Sequence, residues 1–101
     1  MILERNEFRI RFGKMKDALI LWKQIFEEMK NSKDVPKMRL LTDLTGPAYT
    51  LVLELRLGSL LDFGFKNYLW MNNEKVTALY QELLPLCESS HRTLYKVELE
   101  N

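Results

Sequence analysis

Between Pro47 and Leu57 the side chains alternate with a period of two. Tyr49, Leu51, Leu53, Leu55 and Leu57 fall on one side, and Thr50, Val52, Glu54 and Arg56 on the other. That period belongs to a strand with one greasy and one polar face. Gly46-Pro47 and Gly58-Ser59 bracket it with turn signals. A strand so apolar on one side needs helices to cover it, and the flanking segments supply candidates.

Residues 3–12 read as a first strand, with Phe8, Ile10 and Phe12 alternating with Glu7, Arg9 and Arg11 until Gly13. From about Lys14 to Lys30 the spacing changes to threes and fours. Met15, Ala18, Leu19, Trp22, Ile25, Phe26 and Met29 then form one apolar helical stripe. Pro36–Thr45 alternates again as a second strand, and Thr45-Gly46-Pro47 makes a short turn into the third. Ser59–Asp62 has the spacing of a capping box and opens a helix. Asn72-Asn73 interrupts that helix, and a further one carries Val76, Leu79, Tyr80, Leu83 and Leu86. Pro85 removes a backbone donor and ends or kinks it. Ser89-Ser90-His91 reads as a loop before a last strand, in which Thr93, Tyr95, Val97 and Leu99 alternate with Arg92, Leu94, Lys96 and Glu98.

The order is β-α-β-β-(α-α)-β. It predicts an α+β, ferredoxin-like fold: a four-stranded antiparallel sheet with its helices on one face, the second helix broken in two. At 101 residues the chain forms a single domain, residues 1–101.

The apolar alternates, Tyr95 and Val97 among them, are expected to face the helices. The opposite face then carries Arg9, Arg11, Arg39, Leu41, Val52, Glu54, Arg56 and Leu94, mixed in sign with aliphatic residues between. Two readings stay open: a solvated sheet face, or a homodimer in which two such faces pack and pair their charges. The face has no aromatic residue on its central strands, so it lacks the base-stacking platform of an RNA-recognition sheet. Lys and Arg total 15 against 14 Asp and Glu, which leaves no basic excess for nucleic acid or an anionic membrane.

One cysteine, Cys87, allows no intrachain disulfide. Charges at positions 4, 5, 7, 9 and 11 leave no room for a signal-peptide core, and no run is long enough to span a bilayer. The expectation is a cytoplasmic protein.

No phosphate loop, nucleophile motif or metal-spaced cluster is present, so no metal or cofactor is expected. The candidate pocket residues are Trp22, Tyr49, Tyr68, Trp70, Asn72 and His91. Trp22 and Tyr49 lie on core-facing stripes, where packing is the first reading and a cavity wall the second. Tyr68, Trp70 and Asn72 cluster at the helix break, where irregular backbone suits a pocket. His91 is the one imidazole in the chain, and a loop position makes it a solvent residue or a general base. Cys87 reads as a small buried residue rather than a nucleophile.

Three stretches carry a family resemblance: FRIRFGKMKDALILWKQIF, LTGPAYTLVLELRLGSLLDF, and NYLWMNNEKVTALYQELLPL with HRTLYKVE. Together they resemble a NIPSNAP-like member of the dimeric α+β barrel superfamily. The resemblance implies a homodimer joined through the sheet faces and a ligand cavity between sheet and helices. The superfamily's haem-degrading members use a helical histidine on iron. His91 stands before the last strand, so that role does not carry over. Two functions follow. One is a small homodimeric ligand-binding or accessory protein with an apolar cavity for an apolar or aromatic ligand. The alternative is a cofactor-independent monooxygenase-like enzyme acting on a small aromatic or acyl substrate.

Overall fold

The computed structural model describes residues 1–30, 36–58 and 73–101. Its elements are β1 (Ile2–Ile10), α1 (Met15–Met29), β2 (Lys37–Thr42), β3 (Thr50–Leu57), α2 (Glu74–Leu83), a 3-10 turn (Leu84–Leu86) and β4 (Cys87–Lys96). The helix expected from Ser59 lies outside the described residues. The strands form one antiparallel sheet in the order β2-β3-β1-β4. This is the ferredoxin-like α+β arrangement.

The register shows which residues share a side. Residues directly opposite on antiparallel strands point to the same face. Leu51, Leu53, Leu55 and Leu57 of β3 stand opposite Phe8, Asn6, Glu4 and Ile2 of β1. The leucines, with Phe8 and Ile10, pack against Ala18, Trp22, Ile25 and Met29 of α1 and Val76 and Leu83 of α2. Those α1 positions recur every three or four residues, as one helix face requires. Burying that much aliphatic and aromatic side chain is the main stabilising term, about 25 cal/mol per Å² removed from water.

Local chemistry sets the ends. Asn73 caps α2, its side-chain oxygen accepting from the Lys75 and Val76 backbone N–H groups. The α-helix stops at Leu83, and the chain around Pro85 tightens into the 3-10 turn. Gly13 takes φ +77° between β1 and α1, a conformation open to glycine at little cost.

The structure departs from the sequence expectations in three places. First, β1 ends at Ile10, and Phe12 is 85% exposed in the following turn. Second, β3 begins at Thr50 rather than Pro47, and the connection from β2 is a longer loop. The Thr50 N–H donates to Asp43 Oδ1 at 3.0 Å, and the Thr50 hydroxyl donates to the Pro47 carbonyl at 2.8 Å. These bonds fold residues 43–49 on themselves, and Tyr49 is left at φ 62°. Third, Ser89, Ser90 and His91 are strand, not loop. Strand β1 offers unpaired backbone groups along its whole length, and β4 satisfies them from Ile2↔Lys96 to Ile10↔Cys87, with a bulge near Arg9.

That pairing also reverses the expected phase of β4. Leu94 stands opposite Glu4, on the helix side, and Tyr95 stands opposite Leu3, on the open side. An edge strand buries little on either face. Leu94 and Tyr95 are 37% and 45% exposed, so hydrophobic pattern does not choose its phase.

Candidate functional site

The open face of the sheet is built around one carboxylate. Glu54 stands directly opposite Arg5 on β1 and Arg39 on β2. Arg39 Nε donates to Glu54 Oε1 at 2.6 Å, and Arg5 Nε lies 3.7 Å from Oε2. The two guanidinium stems roof Glu54, which is only 6% exposed. Val52 beside it is 7% exposed, with half-buried Leu41 opposite. Arg9 pairs loosely with Glu88 at 3.8 Å, and Arg56 Nη1 pairs with Glu100 at 3.0 Å. Arg9, Arg39, Leu41, Val52, Glu54 and Arg56 therefore share the open face, as the alternation predicts. Leu94 lies on the other side. Arg11 lies past the end of β1, where its Nε donates to the Pro85 carbonyl at 2.9 Å and its N–H to the Leu86 carbonyl at 2.8 Å.

The three described pocket candidates, Trp22, Tyr49 and His91, stand apart from one another. Trp22 is buried in the core between the helices and the sheet. Tyr49 sits at the end of the sheet, its ring 5.3 Å from that of Phe12. His91 stands opposite Glu7 on the open face, away from the helices. Tyr68, Trp70 and Asn72 lie outside the described residues.

The helix side of the sheet instead holds polar groups that the alternation read from Phe8 onward did not include. Glu4 is 4% exposed there, and Asn6 Nδ2 donates to its Oε2 at 2.6 Å. Arg92 stands opposite Asn6 on the same side. The signal was in the sequence: Ile2, Glu4, Asn6, Phe8 and Ile10 are one phase of β1, and two of them are polar.

Tyr80 of α2 adds a phenol beside Trp22, with ring centroids 6.3 Å apart. Burial pushes its pKa up, the Cys87 thiolate pushes the same way, and the Arg92 guanidinium pulls it down. Burial also pushes the Cys87 thiol up, against a downward pull from Arg11. Cys87 Sγ lies 3.6 Å from the Leu83 carbonyl, which it faces as a weak donor. Both groups thus stay protonated at neutral pH, and Cys87 lacks the thiolate character of a nucleophile.

A separate groove of about 530 Å³ runs between the helices. Lys23, Glu27 and Glu28 of α1 face Lys75, Ala78 and Leu79 of α2 across it, and Lys75 Nζ lies 3.8 Å from Glu28 Oε1. Of the described pocket candidates, Trp22, Tyr49 and His91 do not line this groove. Among the described residues no cluster of His, Cys, Asp or Glu is placed to hold a metal, and no helix is long and apolar enough to cross a membrane.

No family model and no curated protein matches the sequence. Solved structures do match it in shape. A NIPSNAP domain protein from Burkholderia xenovorans superposes with a TM-score of 0.80 at 15% identity, over 96% of this chain and 94% of that one. A NIPSNAP family protein from Agrobacterium tumefaciens strain C58 gives 0.78 at 22% identity, over 94% and 90%. An antibiotic biosynthesis monooxygenase gives 0.75 at 13% identity, over 96% and 98%. At these identities the likeness is one of fold: the chain has the ferredoxin-like α+β fold of NIPSNAP proteins and of antibiotic biosynthesis monooxygenase.

Proposed function

We propose that the chain is a small homodimeric ligand-binding protein that holds its ligand between sheet and helices and works in the cytoplasm. The observation that carries the ligand reading is the Glu4–Asn6 pair on the helix side, buried Glu4 and half-buried Asn6 standing opposite Leu55 and Leu53. Polar groups in an apolar layer cost free energy unless paired. Ligand sites combine apolar walls with a few such placed groups. The free Cys87 thiol suits a reducing compartment.

The dimer reading rests on the open face. Val52 and Leu41 form its small apolar centre, and charges of both signs surround them. Two copies related by a two-fold axis would each present this centre to the other. Nothing in the reading requires nucleic acid, a membrane or a metal.

The second reading is a cofactor-independent monooxygenase-like enzyme acting on a small aromatic or acyl compound. Its support is the shared fold with an antibiotic biosynthesis monooxygenase and the protonated Tyr80 phenol beside Trp22.

Native mass spectrometry of the purified protein tests both parts. A dimer mass carrying a bound small molecule is expected, with the bound molecule lost in Glu4→Leu/Asn6→Leu. A monomer refutes the dimer, and a bare core that keeps out added apolar compounds refutes the ligand site. Turnover of dioxygen with a supplied aromatic would favour the enzyme reading.

A further inference from the structure

Trp22 is 2% exposed, and its indole N–H finds no hydrogen-bond partner among the described residues. Buried tryptophans nearly always find one. Three rings pack about it: Phe8 at 5.9 Å, Phe26 at 6.3 Å and Tyr80 at 6.3 Å between centroids. Ring faces and edges are no strong acceptors, and the one ring oxygen among them, the Tyr80 phenol, makes no hydrogen bond to the indole N–H. A desolvated donor is therefore held in an aromatic cage, on the same side of the sheet as the Glu4–Asn6 pair.

The chemistry of the cage narrows what would fill it. A single neutral N–H takes one oxygen acceptor. An ionised carboxylate needs a cation to offset its desolvation. Arg11 donates to the Pro85 carbonyl, and the buried Glu4 carboxylate on the same side of the sheet disfavours a second anion there. The Tyr80 ring stands edge-on to the indole, 6.3 Å between centroids, and its phenol is a second neutral polar group on this side.

We propose that Trp22 Nε1 is the anchoring donor of the ligand site, and that the ligand is an uncharged, mainly apolar compound presenting a carbonyl oxygen to it. This rests on the reading of the helix side of the sheet as a ligand site. It adds the residue that orients the ligand and the charge state and functional group selected.

Three probes of similar size separate the terms: acetophenone, ethylbenzene and benzoate. Each is titrated into the intact ¹⁵N-labelled protein while the indole N–H resonances are followed. The Trp22 signal is the one lost in Trp22→Phe, or the one retained in Trp70→Phe should the first variant not fold. Acetophenone is expected to shift the Trp22 indole N–H downfield and saturably. It should bind at least tenfold more tightly than ethylbenzene or benzoate. Trp22→Phe should reduce the preference for acetophenone over ethylbenzene to within twofold.

Equal binding of acetophenone and ethylbenzene, with the Trp22 indole N–H unmoved, overturns the anchoring role and leaves the ligand site standing. Tightest binding of benzoate overturns the neutral-carbonyl class. Binding of none of the three at millimolar concentration overturns the inference together with the ligand site.

Discussion

Arg39 and Glu54 face each other squarely across β2 and β3, with Nε and Oε1 2.6 Å apart. Their surroundings differ: the Arg39 side chain is 70% exposed and that of Glu54 only 7%. Exposed ion pairs contribute about 0.2–1 kcal/mol, because water screens them and ordering two long side chains costs entropy. Removing Arg39 takes away the closer charge partner and part of the cover over Glu54 together, which puts the loss at the top of that range. Arg39→Ala should therefore destabilise the chain by about 1 kcal/mol, and Arg5→Ala by less, since Arg5 stands farther off at 3.7 Å. A urea-denaturation cycle pairing Arg39→Ala with Glu54→Gln measures the coupling. Zero coupling would mean that the register, not the charge, aligns these residues.

The same face sets the choice of variant for testing the proposed dimer. Val52 is already buried within one chain, so Val52→Asp would disturb folding and assembly together. The Arg56 side chain is 48% exposed, and Arg56→Glu would place a second acid beside Glu100 on the open face. The expected outcome is dissociation by sedimentation velocity with an unchanged circular-dichroism spectrum. A variant that keeps the wild-type mass would move the interface elsewhere.

Tyr49 holds φ 62° although it is bulky, a conformation that favours glycine. Its ring covers Phe12, and its carbonyl accepts the Ile10 N–H at 2.8 Å, which fixes the end of the sheet. Tyr49→Ala should lower stability by about 2 kcal/mol through lost packing. Tyr49→Gly should lose about 1 kcal/mol less, because glycine relieves the backbone. Phe12→Ala should stay within about 0.5 kcal/mol, given its exposure. Thermal melts of the three rank the terms.

Asn73 holds the first turn of α2 through two backbone N–H groups, at 2.9 and 3.3 Å. Asn73→Ala should cost about 1 kcal/mol, and Asn73→Ser should recover most of it. Equal melting temperatures for the two variants would show that packing of Val76 and Leu83 alone holds the helix.

Cys87 and Tyr80 make stability depend on alkaline pH. Both have pKa values raised on folding, chiefly by burial. The folded chain therefore holds these protons longer than the unfolded chain. Their contribution is complete below the unfolded pKa values and is lost as pH rises through the folded ones. Stability should begin to fall above about pH 8.5, where free thiols ionise. Alkylation of Cys87 by iodoacetamide should follow a pH profile displaced upward from that of free cysteine. A profile matching free cysteine would mean that the thiol is open to water.

The order of elements was legible because the apolar period switches cleanly between two and 3.6. Leu51, Leu53 and Leu55 marked the central strand, and Ala18, Trp22, Ile25 and Met29 marked the helix that covers it. The ends were less legible. Phe12 alternates like a strand residue, but the left-handed Gly13 turns the chain before it can pair. The phase of β4 was illegible from its own residues, since an edge strand with both faces half wet carries no burial signal. Only pairing with β1 sets it, and that brings Arg92 beside Asn6. The Glu4–Asn6 pair could have been found by extending the phase of Phe8 and Ile10 toward the N-terminus, where polar residues occupy core-facing positions.

Among the described residues, strand β4 joins the sheet along one side only, with β1, from Ile2↔Lys96 to Ile10↔Cys87. Its backbone amides therefore fall into two alternating classes. Those turned toward β1 are locked in ladder hydrogen bonds, and those turned outward meet solvent. Deuterium uptake along Cys87–Lys96 would then be comb-like, fast and slow at successive residues, with the regularity broken at the bulge near Arg9. A second strand laid against that free edge would erase the comb. The same ten residues thus carry a built-in reporter of any chain that extends the sheet.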